Sequence, residues 1–208
     1  MLIEVVIAIF LFICLVVFAF VNLHNVLIIK KGKGSGKVYA EVEHPSSLMV
    51  GFAALGTFAY FLEALVYIFF VFAGLLNLLY VSPFHFQLPF AIYMQFLGLA
   101  LTLAGYFIFL WSVIVRGRCA VSWEMLENQK LVTWGPYRYV RHPSYLGYFL
   151  MFFGLFFLWP NLFTLIPLFA IPGYYGITFE EERLLVQRFG SEYLEYQKRV
   201  GRFIPKLL

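Results

Sequence analysis

The sequence predicts an all-α integral membrane protein with about five transmembrane helices, namely three long spans followed by a C-terminal helical hairpin. Of its 208 residues, 62% are hydrophobic and only 12% are charged, whereas soluble domains are about half apolar and a quarter charged. The charges are also segregated, because residues 64–115 and 142–179 contain no Asp, Glu, Lys or Arg. Uncharged stretches of this length are typical of segments that cross the hydrocarbon core of a bilayer.

Three long apolar stretches predict the first three spans, at residues 3–29, 47–76 and 90–115. The first ends at a basic, glycine-rich stretch that cannot continue a buried helix. The third is stopped by Arg116-Gly117-Arg118, and an uncharged linker with two prolines precedes it. Apart from Glu4 at the start of the first, Glu63 is the one charge inside these spans, and it is costly there. It has either a functional role or a hydrogen-bonding role between helices.

Two shorter apolar stretches, 144–158 and 162–179, are separated by Trp159-Pro160-Asn161. The first would be about 22 Å long as a helix, which is short of a hydrocarbon core of about 30 Å. We therefore expect a helical hairpin that turns within the membrane or at its far interface. The charged tail from Glu180 onward has apolar residues at helical spacing and predicts a C-terminal amphipathic helix.

Clustered Lys and Arg residues set the predicted orientation. Residues 30–37, 116–141 and the tail are basic, whereas the linker 77–89 has no formal charge. Basic segments stay on the cytosolic side of a membrane. With five crossings, or three and a hairpin, all three basic segments reach the cytosol and the N-terminus lies outside.

The polar chemistry is concentrated in residues 131–147 and 180–196. In the first stretch, Pro143 biases His142 away from helical angles, so Arg141 and His142 are held just before a membrane helix. This stretch is either an ordinary interfacial anchor with Tyr and Trp or a functional site. The density of Tyr, Arg, His and Gly favours the site.

Three consecutive carboxylates, Glu180, Glu181 and Glu182, begin the second stretch. They are suited to the first turn of a tail helix, where the helix dipole stabilises negative charge. Alternatively, one or two of them pair with the Arg141 region or receive a cationic ligand. Consecutive helical residues point in different directions, so the three cannot share one role.

Several short motifs combine at a specific spacing between residues 131 and 205. They are L-V-T-x-G-x-Y at 131–137, R-H-P-S-Y at 141–145, Glu181-Glu182, Phe189-Gly190, E-Y-L-E-Y-x-K-R-V at 192–200, and Pro205. Together they resemble the isoprenylcysteine carboxyl methyltransferase family, within the wider group that includes phospholipid N-methyltransferases. The first three spans match this family only in kind.

The resemblance implies an S-adenosylmethionine-dependent enzyme with a cytosolic cofactor pocket between the two polar stretches, partly capped by the C-terminal part. It divides the chain into a three-helix transmembrane region, 1–115, and a catalytic region, 116–208. The implied cofactor-binding residues are Leu131, Val132, Tyr137, His142, Pro143, Tyr145 and Glu181, and the implied catalytic residues are Arg141 and Glu182. A sulfonium and an amino group favour carboxylates and aromatic faces, whereas the methionine carboxylate needs an Arg or His donor.

The implied partners are the lipid bilayer and a lipid-like methyl acceptor that arrives from it, and no nucleic acid is expected. The first candidate acceptor is an isoprenylcysteine carboxylate, and a phospholipid amine or a small thiol are the alternatives. Family members usually have an arginine shortly before the Glu pair, but residues 172–179 contain no basic residue. Arg141 could supply that charge instead, or the acceptor differs.

Two other classes of protein compete with this interpretation. A sterol-type membrane reductase, which binds a nicotinamide cofactor, has a related R-H-x-N-Y arrangement, but here Ser144 replaces the Asn. A small channel or structural membrane protein is the third class, although no span shows the polar lining that a channel needs. The two cysteines, Cys14 and Cys119, have neither disulfide nor metal-ligand spacing, so no metal site is predicted.

Overall fold

The computed structural model describes residues 2–32, 38–41, 46–80, 84–117, 124–126 and 130–206. Most of the basic stretch after the first span, together with Arg118 and Cys119, lies outside these residues.

Helices dominate the described part of the chain. In order they are α1 (Leu2–Gly32), α2 (Ser47–Phe72), α3 (Leu76–Leu79), α4 (Ala91–Arg116), α5 (Pro143–Leu158), α6 (Ala170–Phe189) and α7 (Ser191–Arg199). Two 3-10 helices, Gly135–Arg138 and Phe163–Phe169, precede α5 and α6. The all-helical prediction is confirmed except for one small antiparallel ribbon, in which β1 (Val38–Glu41) pairs with β2 (Glu124–Leu126).

Three helices, α1, α2 and α4, are long and apolar enough to cross a membrane, so the prediction of three long apolar helices is confirmed. The number of membrane crossings stays a prediction. The second span ends at Phe72, four residues before its predicted end. Glu63 lies inside α2, and its Oε2 atom is buried with no hydrogen-bond partner among the described residues. The expected hydrogen bond to another helix is therefore not made by that oxygen.

The chain reverses direction after α5, which has 16 residues and is about 24 Å long. Asn161 organises the turn: its side-chain nitrogen donates to the Trp159 carbonyl oxygen at 2.9 Å, and its side-chain oxygen accepts from the Phe163 backbone N–H at 2.8 Å. The 3-10 helix around Pro167 then leads into α6.

The helix that contains the three consecutive glutamates does not begin at Glu180. Instead, α6 runs without interruption from Ala170 to Phe189 and carries all three. The explanation of these carboxylates as the first turn of a tail helix is therefore wrong. The tail helix α7 begins only at Ser191, after Gly190 turns the chain with a φ of 54°.

Small residues allow α4 and α5 to pack with their backbones in contact. A Cβ atom added to Gly105 would lie 2.6 Å from the carbonyl oxygen of Gly147, and one added to Gly98 would lie 2.8 Å from that of Gly154. Close approach through small residues is the usual way in which membrane helices associate. The start of α5 is therefore held firmly against the end of α4.

The other arm of the hairpin packs on a different helix. A Cβ atom added to Gly173 of α6 would lie 2.6 Å from the Ala53 nitrogen of α2, and one added to Gly56 would lie 2.7 Å from Ala170 Cβ. Because α5 packs on α4 and α6 packs on α2, the two arms are splayed. Tyr174 bridges the gap by stacking on Tyr145, with ring centroids 4.6 Å apart.

Candidate active site

The segment before α5 and the residues after α7 are joined by backbone hydrogen bonds. The Arg141 N–H donates to the Gly201 carbonyl oxygen at 2.9 Å, and the His142 N–H donates to that of Arg202 at 3.1 Å. The Tyr196 hydroxyl donates to the Tyr137 carbonyl oxygen at 2.6 Å. We call residues 196–202 the clasp, because these bonds hold them against the loop that leads into α5.

His142 precedes α5 with φ −123° and ψ 63°, which are not helical angles, as its position before a proline predicts. Pro143 occupies the first position of α5. The N–H that it lacks would have no partner within the helix at that position. The Arg-His-Pro sequence therefore points two polar side chains into the site at the point where α5 begins.

Glu182 is the centre of a buried polar cluster. Its Oε1 atom accepts from Arg141 Nε and from His142 Nε2, both at 2.9 Å, and its Oε2 atom accepts from Arg202 Nη2 at 2.9 Å and from Gln197 Nε2 at 3.1 Å. Burial opposes the charged carboxylate. The hydrogen bonds from His142, Arg202 and Arg141 outweigh burial and lower the pKa of Glu182 well below its ordinary value. Glu182 therefore stays ionised and links the loop to the clasp.

His142 lies between two carboxylates. Its Nε2 atom is 2.9 Å from Glu182 Oε1, and its Nδ1 atom is 3.4 Å from Glu181 Oε2. Burial favours the neutral imidazole, but the hydrogen bonds and negative charges of Glu181 and Glu182 outweigh burial and raise the pKa of His142. The ring also lies parallel to that of Tyr145, with centroids 5.8 Å apart.

Glu181 is buried, and it lines a cavity as well as facing His142. Its Oε1 atom accepts from the Tyr145 hydroxyl at 2.6 Å. This oxygen and the neighbouring tyrosine ring form one wall of a cavity. Glu181 and Glu182 thus point in different directions, as their spacing on one helix requires.

Two cavities meet beside Glu181. The loop cavity has a volume of about 70 Å³ and is lined by Arg116, Lys130, Leu131, Val132, Tyr137, Arg141, His142, Ser144, Tyr145, Glu181, Leu185, Tyr193 and Tyr196. The helix cavity has a volume of about 410 Å³ and is lined by Asn22, Val50, Ala53, Ala54, Phe109, Arg116, Ser144, Tyr145, Tyr148, Tyr174, Ile177 and Glu181. Because α1, α2, α4, α5 and α6 all contribute to the second list, the helix cavity occupies the gap left by the splayed hairpin.

The loop cavity has the chemistry of a site for a polar, partly cationic molecule. The buried Tyr137 hydroxyl has no hydrogen-bond partner among the described residues, and its side chain lines the cavity. A buried polar atom without a partner is costly, so a ligand that bonds to this hydroxyl would stabilise the site.

Seven of the nine residues predicted from the motifs line the loop cavity: Leu131, Val132, Tyr137, Arg141, His142, Tyr145 and Glu181. Pro143 begins α5 and Glu182 lies behind the cavity wall, so neither is among the lining residues. Arg141 lines the cavity, but its guanidinium also donates to Glu182 and to the Val200 and Gln197 carbonyl oxygens. The roles assigned to these nine residues remain predictions.

Several residues of the site were not singled out from the sequence. Arg116 seemed only to stop a span, and Tyr193 and Tyr196 were given no role within the motif at 192–200, yet all three line the loop cavity. Arg202 binds Glu182, and its guanidinium carbon lies 4.2 Å from the centre of the Phe179 ring. A single arginine in a charged tail carries no signal of such a position.

Comparison with known proteins gives consistent results over the same region. Residues 93–192 match the sequence model of the family described as Phospholipid methyltransferase. The chain is 34% identical over 93 residues to the Protein-S-isoprenylcysteine O-methyltransferase of Tribolium castaneum, covering 41% of this chain and 31% of the relative. The human protein of that name is 35% identical over 91 residues, covering 39% of this chain and 30% of the relative. The Schizosaccharomyces pombe protein of that name is 32% identical over 140 residues, covering 64% of this chain and 58% of the relative.

Over these regions the chain is similar to the isoprenylcysteine carboxyl methyltransferases. The resemblance seen in the motifs is thereby confirmed. The matches cover about a third of the Tribolium and human relatives and 58% of the S. pombe relative. The region that matches the phospholipid methyltransferase family contains Arg116, Tyr145, Glu181 and Glu182, whereas the clasp lies beyond its end at residue 192.

Proposed function

We propose that this chain is a membrane methyltransferase that transfers a methyl group from S-adenosylmethionine to a lipid-like acceptor, with an isoprenylcysteine carboxylate as the first candidate. The names of its relatives support the reaction class. The observation that carries the proposal is the meeting of two cavities beside Glu181 and Tyr145. Such a junction allows two molecules that enter from different sides to touch.

The loop cavity is the proposed donor site. S-adenosylmethionine, when bound, supplies a methyl group on a positively charged sulfur. Glu181 offers a carboxylate, and the rings of Tyr137 and Tyr145 offer aromatic faces, and both kinds of group attract a cation. Leu131 and Val132 contribute apolar wall, and Lys130, at the exposed edge of the cavity, offers a cation to the donor carboxylate.

The helix cavity is the proposed acceptor site. Its wall includes Val50, Ala53 and Ala54 of α2 and Ile177 of α6, an apolar surface suited to a lipid chain. Since α1, α2 and α4 are long enough to cross the bilayer, an acceptor can approach between helices from the membrane. The site end of the bundle faces the cytosol in this proposal, with five crossings and the N-terminus outside, because the basic segments lie at that end.

Alignment of the two molecules is the main contribution of the protein. An ionised carboxylate is already a nucleophile, so no side chain has to remove a proton from it. Holding the two reacting groups together and excluding water supplies most of the acceleration in such a displacement. Arg141 and Glu182 act as positioning residues, because their hydrogen bonds fix the loop that carries His142 and Tyr145.

Calorimetric titration of the detergent-solubilised full chain with S-adenosylhomocysteine tests the donor site. We expect binding by the native chain, loss of affinity in Glu181→Ala, and no loss in Glu180→Ala, because Glu180 does not line the cavity. Binding of NADPH instead would identify a nicotinamide-dependent reductase. Binding of neither compound would contradict the proposal.

Methyl transfer from tritiated S-adenosylmethionine tests the acceptor. A prenylcysteine analogue, a phosphatidylethanolamine and a simple thiol are offered in parallel, and we expect label in the first. For topology, Ser35→Cys in a chain without its two native cysteines should react with a membrane-impermeant reagent only from the cytosolic side. Labelling from the opposite side would reverse the proposed orientation.

A further inference from the structure

Arg116 occupies the junction between the two cavities. It is the last residue of α4, and its side chain lines both the loop cavity and the helix cavity. Ser144, Tyr145 and Glu181 are the other residues common to both linings, so Arg116 is the one cation at the junction. A molecule in either cavity that reaches the junction meets its guanidinium.

The guanidinium of Arg116 forms no ion pair within 4.0 Å in the described part of the chain. Its Nε atom is buried without a hydrogen-bond partner, and no carboxylate of the described residues forms an ion pair with it within 4.0 Å. Its electrostatic neighbours are Tyr137, Tyr145, Glu181 and Tyr148, of which only Glu181 is a carboxylate. A buried charge that lacks a partner is strongly unfavourable, and an anion in the cavity would remove that cost.

The other cations near the site either pair with carboxylates or lie away from the helix cavity. Arg141 and Arg202 donate to Glu182, and His142 lies between two carboxylates. Lys130 lines the loop cavity but not the helix cavity. Arg116 is therefore the only uncompensated cation that a molecule in the helix cavity can reach among the described residues.

The carboxylate at the junction is compensated, which leaves the balance of charge positive. Glu181 accepts a hydrogen bond from Tyr145 at 2.6 Å and lies 3.4 Å from the His142 ring nitrogen. Apart from Glu181 and Arg116, no charged side chain of the described residues lines the helix cavity. An ammonium headgroup there would face an unpaired cation, whereas an anionic headgroup would neutralise it.

From this arrangement we infer that Arg116 is the specificity residue for the acceptor and that it selects a carboxylate over an amine. The inference rests on the proposed methyl-transfer function. In the reaction, a carboxylate oxygen forms a bond to the methyl carbon as the bond from that carbon to the sulfonium breaks. The sulfonium becomes a neutral thioether and the carboxylate becomes a neutral ester, so no proton has to be placed. The ester has lost its attraction to Arg116, which favours its release.

Steady-state kinetics of Arg116→Gln and Arg116→Lys, with a prenylcysteine analogue as acceptor, test this inference. We expect Arg116→Gln to raise the KM of the carboxylate acceptor by about 10- to 100-fold, the usual effect of removing a charged hydrogen-bond partner. Arg116→Lys, which keeps the charge, should recover part of the loss. The dissociation constant of S-adenosylhomocysteine should change by less than about threefold in both.

A neutral analogue separates recognition of charge from general damage to the cavity. The amide of the same prenylcysteine should inhibit the native chain and Arg116→Gln equally, because it carries no charge for Arg116 to bind. Arg138→Gln, in which an exposed arginine of the same region is changed, should leave every constant unaltered.

Two results would overturn the inference while the proposed function stands. One is an equal loss of S-adenosylhomocysteine affinity in Arg116→Gln, which would assign Arg116 to the donor. The other is methylation of phosphatidylethanolamine but not of the carboxylate acceptor by the native chain. Failure of the native chain to bind S-adenosylhomocysteine would instead contradict the proposed function itself.

Discussion

Replacement of Glu182 by Gln should detach the clasp from the loop before α5. The substitution keeps the size of the side chain but removes the charge that Arg141, His142 and Arg202 share. Gln also presents an N–H group where one carboxylate oxygen accepts hydrogen bonds. Breaking a buried ion pair by removing one partner costs about 3–5 kcal/mol, because the remaining charges stay buried without compensation.

At about 3 kcal/mol, the lower end of that range, Tm should fall by about 6–12 °C for a chain of this size. The measurements are thermal unfolding in detergent and hydrogen exchange of peptides from the clasp. We expect the clasp to lose protection while α4 and α5, which pack through glycine contacts, keep theirs.

The matched control is Glu180→Gln, the same chemical change on the same helix. Glu180 forms a partly exposed pair with Arg183 at 3.8 Å, and such pairs contribute at most about 1 kcal/mol. Equal shifts in Tm for the two variants, or a clasp that remains protected in Glu182→Gln, would refute the idea that Glu182 holds the clasp in place.

Three further predictions concern packing, the site and pH. Gly105→Ala should lower stability by about 1–3 kcal/mol because its Cβ atom would collide with α5, whereas Gly51→Ala, which meets nothing within 4 Å, should not; thermal unfolding compares them. Tyr145→Phe should weaken S-adenosylhomocysteine binding by about tenfold, measured by calorimetry, because Glu181 loses its shortest hydrogen bond. Because the folded state raises the pKa of His142 above its ordinary value of 6.5, the stability that His142 contributes is complete below pH 6.5. That contribution is lost as pH rises through the folded pKa, so His142→Gln should flatten the decline of Tm above pH 6.5.

Much of the fold could be predicted because the bilayer imposes simple rules on a sequence. Long apolar stretches predicted α1, α2 and α4. The short apolar stretch before Trp159 predicted the first helix of a hairpin. The splay of that arm could not be predicted, because it depends on which helix the small residues of α6 meet. Gly173 contacts Ala53 of α2, and nothing in the local sequence specifies that partner.

The motif residues around Arg141 and Glu181 could be found from their resemblance to a known family, but the residues that complete the site could not. A basic residue at the end of a span is the normal interfacial anchor, so Arg116 carried no sign of its position between two cavities. The three consecutive glutamates were difficult for a similar reason. Glu182 is stabilised by residues distant in sequence, such as Arg202, and local pattern therefore suggested a helix terminus instead.

The clasp also determines when during synthesis the site can be completed. The Arg141 guanidinium donates to the carbonyl oxygen of Val200, 59 residues further along the chain. Proteins begin to fold from the N-terminal side as they are made, so α1 to α5 can enter the membrane while the loop before α5 still bonds to water. A nascent chain that stops before Gly201 would still insert and pack through its glycine contacts. It would lack the residues that bond to Arg141 and His142, so its ligand site would stay incomplete.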